Sequence, residues 1–399
     1  MKRIVAITLL ILFTLMLAGC APAESAPRDG GYITGATLNT SAAGENEVTR
    51  YEVQPSKESL GVDFRSTFIS GSAAFQVVAA DGEIQFERRL TPGDSFFNET
   101  ISLKPGIYRL VISWKEAVSG SYNIEWGAGP LEVPAIAWQA FIPGIGMLLA
   151  GLLFSIYGIR KGGWKYALLG AAFWAGTVII KIVIATLVNT PLYKWMTAAL
   201  PGLPGTLLFS VYVGLLTGIT EVLITWLFLR YTKLGQTIWQ KMLSFSLAFG
   251  GFEAILLGAN TLVGVITVLT MSSQLPLSAI RQIAQLNNIV YGLAPIVERI
   301  FTIGVHLGCN LLLFYGVMRK ESRWFWLSFA LKSGIDAVAG YAQLSGQLSS
   351  VSFIWLIEVF VILFGLGGFA ISRWLRGKIT QLESENIRQA ELTAEPGNE

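Results

Sequence analysis

Glu253 and His306 are the residues of this chain best suited to proton chemistry, and His306 is the only histidine among 399 residues. His306 lies in Val297–Asn310, VERIFTIGVHLGCN, where Glu298, Thr302, His306 and Asn310 recur at every fourth position. On a helix that spacing makes one slowly drifting polar stripe, with Arg299 beside Glu298. Glu253 sits in FGGFEAILLG, where Gly250, Gly251 and Gly258 leave room for close approach of a neighbouring helix or a substrate. Two or more carboxylates with a histidine in a wet pocket suit hydrolysis. One glutamate takes a proton from water, and the histidine or a neighbouring donor stabilises the developing oxyanion.

The elements that must position these residues are apolar. A chain that is 53% hydrophobic and 14% charged is too apolar for a soluble globular protein. Seven apolar segments lie near 136–158, 166–188, 207–229, 242–266, 289–317, 325–344 and 352–372, each long enough to span a bilayer. They carry Lys181, Glu221, Glu253, Glu298, Arg299, His306, Lys332, Asp336 and Glu358. Counted from the segment ends, Glu221, Glu253, His306 and Asp336 fall near mid-membrane, and Glu298 lies about 12 Å further out. So many ionisable groups are tolerable in a bilayer only if they face one another or a wet cavity, which predicts a polar site between spans three, four, five and six. Each group also has a plainer reading. Glu298–Arg299 and Lys332–Asp336 suit structural pairs, the latter at i and i+4. Lys181 suits a snorkelling side chain. Glu358 suits a helix-packing hydrogen bond, and Cys309 a small packing residue.

Residues 1–20 have a basic start (Lys2, Arg3), an apolar run and small residues before Cys20, the pattern of a secretory signal. The ending Leu17-Ala18-Gly19-Cys20 resembles a bacterial lipobox, which implies a bacterial protein lipidated at Cys20. A tether over 21–31 follows. Residues 32–130 change to alternation and turns: 61–69, 74–79, 83–89, 97–103, 107–114 and 121–126 read as strands of an extracytoplasmic all-β sandwich. This domain has no histidine and no clustered carboxylates, so it reads as a binding or spacer module with an unknown ligand. With residue 130 outside, the loops facing the cytoplasm hold twelve basic residues, among them Arg160, Lys161, Arg230, Lys233, Arg319 and Arg373. The outer loops hold Lys194 and Arg281, the latter on a short interfacial helix. That asymmetry predicts an inner-membrane protein with a seven-helix membrane domain over 131–376 and a cytoplasmic tail over 377–399. No basic patch with interleaved aromatics points to nucleic acid.

Phe249-x-x-x-Glu253, then Glu298-Arg299, then His306-x-x-x-Asn310 on the next span resemble the motifs of glutamic-type intramembrane proteases. The match is to the YhfC family, related to the PrsW and CAAX-processing groups, over roughly 136–375. The resemblance implies a membrane-associated protein substrate, Glu253 as water activator with Glu221 on the preceding span, and His306 with Asn310 on the oxyanion side. Glu298, Arg299, Lys332 and Asp336 take supporting places. The chain departs from the pattern at the first motif, where Thr220 replaces one of two glutamates and Ile224 replaces a base. Lys332 stands where a histidine is expected, and its charge suits a pairing with Glu221 or Asp336. These departures leave two outcomes, a protease and a relative that binds membrane segments without cutting them. A metal-free mechanism is the expectation, because a single histidine would leave zinc to Glu253, Glu298 and Asp336 oxygens. Two further classes compete: a seven-helix sensory receptor and a small-solute transporter, although no inverted repeat is visible.

Overall fold

The computed structural model describes residues 30–348 and 350–394, without the side chains of Asp94 and of residues 386–394. Cys20 and the signal segment lie outside the described residues. The chain forms two compact units. One joins the residues up to Ala140 with Val263–Asn287; the other joins Phe141–Leu262 with the chain from Asn288 onward.

In the first unit, eight strands form two antiparallel four-stranded sheets. The strands are β1 Gly30–Thr40, β2 Gly44–Val53, β3 Ser59–Ser70, β4 Ala73–Ala79, β5 Ile84–Leu90, β6 Gly93–Ser102, β7 Gly106–Trp114 and β8 Val118–Ala128. Their orders are β1-β8-β3-β6 and β2-β7-β4-β5. Six strands coincide with the alternating stretches of the sequence. β1 and β2 do not stand out there, because GGYITGATLNT and GENEVTRYEV are largely polar and only a few of their residues are buried. The core is aromatic: Phe64 stacks on Phe97 and on Tyr122 at 5.4 and 5.7 Å. Asp63 and Arg65 flank Phe64 on β3 and therefore point to the other face of the sheet. There they form a buried ion pair, and Arg65 donates to the carbonyl of Ser272. The segment 263–287 contains the expected short helix, α6 Leu277–Ala284. Its Arg281 pairs with Glu125 of β8, so the polar side of that helix is turned to the β-domain.

In the second unit the helices are α1 Ile142–Gly162, α2 Trp164–Ala199, α3 Leu203–Thr217, α4 Ile224–Tyr231, α5 Trp239–Met271, α7 Ile289–Arg319, α8 Arg323–Leu344 and α9 Val351–Ala394. The last turns of α5, from Val263, belong to the first unit. Among the described residues, six helical stretches are long and apolar enough to cross a membrane: Trp138–Gly162, Trp164–Ala199, Leu203–Tyr231, Trp239–Met271, Ile289–Arg319 and Val351–Glu385. The protein is thus a multi-pass α-helical membrane protein with an N-terminal all-β domain. The seventh expected segment is present as α8 but falls outside this set. Its Ser328, Lys332 and Ser333 are buried against neighbours, so α8 is polar on the side it packs.

α7 is the central helix, with 83% of its most apolar stretch buried. Asn288 caps its start, its side chain accepting from the amides of Val290 and Tyr291 at 3.0 and 3.4 Å. Its contact with α9 relies on small residues. A Cβ at Gly308 would lie 2.6 Å from Gly368 Cα, backbone against backbone. The helix of the C-terminal tail is continuous with α9, where Leu375 and Ile379 are fully buried.

Candidate active site

Glu253 on α5 and His306 on α7 meet: His306 Nε2 lies 2.7 Å from Glu253 Oε2. The reason the two helices come this close is Gly250, one turn before Glu253, where a Cβ would sit 3.0 Å from the Cβ of His306. Phe249 packs its ring against the imidazole, centroids 5.2 Å apart. Two further donors converge on the same carboxylate. Trp174 Nε1 on α2 donates to Oε2 at 3.0 Å, and the Arg299 guanidinium donates to Oε1. Arg299 also donates to Glu298, whose side chain is the most exposed member of the group, at 34%. The Glu298–Arg299 pair expected from sequence is therefore real, and it is tied to Glu253 as well as to itself.

Asn310 lies one turn beyond His306 on the same stripe. It is buried, and its amide Nδ2 has no hydrogen-bond partner. Buried donors are almost always satisfied, so this amide has a hydrogen bond left to give to a group that reaches it. An apolar cleft of about 280 Å³ lies between α7, α8 and α9, lined by Val305, Cys309, Leu331 and Phe364 among others and by none of the stripe residues.

Glu221 does not join this group. It sits in a π-helical turn, Gly218–Leu223, inserted between α3 and α4, where Ile224 N–H donates five residues back to Ile219. Such turns concentrate at functional sites. Here the turn carries a second polar centre. Lys181 Nζ on α2 donates to Glu221 Oε1 at 2.6 Å. Lys332 Nζ on α8 lies 3.4 Å from Glu221 Oε2 and donates to both oxygens of Asp336, at 3.3 and 3.2 Å. Lys181 is thus not a snorkelling residue; it points inward to a carboxylate. The charges of Lys332 and Asp336 still reach Glu253, so the two centres are electrostatic neighbours. Glu358, on α9, is buried with Oε2 unpartnered.

Trp174 and Lys181 are members of the centres that sequence reasoning did not assign to a site. A tryptophan within an apolar span carries no signal beyond packing. Lys181 was visible as a charge within a span, but its position near the end of the segment pointed outward.

Against this geometry, the family model for the YhfC intramembrane metalloprotease matches residues 146–361. That stretch is more than half of the chain, and the chain belongs to this family. It is accordingly an intramembrane protease-like membrane protein, and its family implies a membrane-protein substrate. No curated protein matches it.

The family description also implies a metal, and the side chains of the two centres do not fit one. A catalytic zinc site offers three protein donors around an open position. Here His306 Nε2 is engaged with Glu253, both Glu253 oxygens accept from donors, and a cation already stands against each acid of the two centres. Among the described residues, no three His, Cys, Asp or Glu side chains gather in a metal-holding arrangement.

Proposed function

We propose that this protein hydrolyses a peptide bond of a membrane-associated substrate with water activated by Glu253. The observation that carries the reading is the Glu253–His306 contact between two spans, with the orphan amide of Asn310 one turn along the same stripe. A carboxylate has about four lone-pair sites. Arg299, Trp174 and His306 engage three, which fixes the orientation of the group and leaves one for water. Water gives its proton to Glu253 while its oxygen bonds to the carbonyl carbon. The carbonyl oxygen becomes an oxyanion that accepts from Asn310 Nδ2. His306 Nε2 becomes the second donor as the newly protonated Glu253 releases it. The proton on Glu253 then passes to the amide nitrogen, the C–N bond breaks, and an amine leaves together with a carboxylic acid that keeps water's second proton. Glu298 and Arg299 hold Glu253 in place, and the apolar cleft beside α7 suits an apolar substrate segment.

Topology follows the basic loops: the β-domain extracytoplasmic, the tail cytoplasmic, the protein in a bacterial inner membrane. Glu221, Lys332 and Asp336 support the site through charge and do not contact the reacting bond. A specific observation favours a second reading, a relative that binds membrane segments without cutting them: Arg299 already neutralises Glu253.

The deciding experiment reconstitutes the full chain with labelled transmembrane peptides and follows cleavage in wild type, Glu253→Gln and His306→Ala. Cleavage by wild type that falls about a hundredfold or more in both variants supports hydrolysis. Equal cleavage by all three overturns it. Peptide binding without cleavage by any of them favours the second reading.

A further inference from the structure

We propose that Lys332 is a resident internal cation standing where a divalent ion would have to sit, so that the Glu221–Asp336 centre is closed to metal in this chain. Its ammonium is almost fully buried and has oxygens of two acids around it: Glu221 Oε2 at 3.4 Å and both Asp336 oxygens at 3.2 and 3.3 Å. That is how an ammonium gathers carboxylates, at hydrogen-bond distance through three donors. A metal would need the same oxygens at about 2.0–2.2 Å. Lys181, 2.6 Å from Glu221 Oε1, supplies a second positive charge. Two carboxylates and two ammoniums balance, so a dication entering between them would meet two like charges with no acid left to hold it.

The Glu221 Oε2 atom has no hydrogen bond of its own; the ammonium at 3.4 Å is its nearest compensation. Without Lys332, Asp336 would lose its only basic partner at ion-pair distance among the described residues, and Glu221 would retain Lys181 alone. Glu253 lies within electrostatic range of the gap. That surplus of negative charge, beside the nearly inaccessible Glu221, is what recruits a dication. The proposal concerns occupancy and stands whether or not the protein cuts a substrate.

The test is metal retention by the full-length protein in detergent after equilibration with zinc and exhaustive dialysis, read by elemental mass spectrometry alongside the thermal shift on adding zinc. Wild type and Lys332→Arg should retain well under one equivalent and show no shift. Lys332→Ala should retain about one equivalent, raise its Tm with zinc, and lose both effects when Glu221→Gln is added. Lys332→Gln, which keeps most of the length of the side chain without its charge, serves where the alanine variant does not fold. The proposal is overturned if wild type retains about one equivalent that Glu221→Gln or Asp336→Asn removes. It is also overturned if neither neutral variant gains zinc over wild type.

Discussion

The two polar centres within the helical unit use similar residue types to different ends. Around Glu253 the partners are a guanidinium and an imidazole from α7 and an indole from α2, and Glu253 itself keeps 15% of its side-chain surface open. Around Glu221 the partners are two ammoniums, and the acid is 3% exposed. An ammonium neutralises charge from any direction, whereas a fork, a ring and an indole N–H each fix an orientation. The Glu221 centre balances charge at a helix irregularity. The Glu253 centre holds one carboxylate in one pose and leaves an amide beside it unused.

The largest expected effect separates the two by activity. Glu253→Gln should cost about a hundredfold or more in cleavage rate, and Glu221→Gln less than about tenfold, because only the first touches the reacting water. Stability should reverse the order of interest. Glu221→Leu leaves Lys181 without its carboxylate and Lys332 with Asp336 alone, and should destabilise the fold by about 3–5 kcal/mol, the cost of breaking a buried ion pair from one side. Thermal unfolding in detergent reads that difference. A Glu221→Gln variant as inactive as Glu253→Gln, with an unchanged Tm, would merge the two centres into one catalytic site.

Trp174→Phe sharpens the same contrast at a smaller scale. The substitution removes only the indole donor 3.0 Å from Glu253 Oε2 and keeps an aromatic ring against Phe252. A hydrogen bond to a charged group is worth about 1.5–3 kcal/mol. The expected result is a ten- to hundredfold fall in kcat, in round terms about 1.4 kcal/mol per factor of ten, with KM for the peptide little changed. A rise in KM at constant kcat would show instead that Trp174 contacts substrate.

How far these centres could be read in the sequence depended on periodicity. The stripe Glu298–Asn310 repeats every fourth residue on one helix, so its members were visible together, and Glu253 stood out as a lone acid among glycines. The pairing of Glu253 with His306 followed from depth in the spans. What escaped were features without a period. The π turn at Gly218–Leu223 depends on an i to i+5 bond that no residue type announces, and it helps to orient Glu221 toward α2 and α8 rather than toward Glu253. Lys332 was legible as a partner for Glu221 or Asp336, and the packing of α8 against α3 gives it both. β1 and β2 were hidden for a related reason: a strand with polar residues on both faces has no alternation to detect.

The smallest expected effect comes from an ion pair outside both centres. Arg281 and Glu125 join α6 to β8 within the β-domain unit, with side chains 41% and 12% exposed. Arg281 is over a third exposed, so solvent and salt screen the pair, and it should contribute about 0.2–1 kcal/mol. A double-mutant cycle over Arg281→Ala and Glu125→Ala, read by thermal unfolding, should give a coupling in that range that shrinks at high salt. The equivalent cycle over Glu221→Gln and Lys332→Gln should give a coupling several times larger and insensitive to salt, because its charges are 3% and 4% exposed. Equal couplings at the two sites would mean that water reaches Glu221 freely. The case for a closed, charge-balanced centre distinct from the Glu253 site would then fail at its physical root, because burial is what makes Lys332 an effective substitute for any other cation.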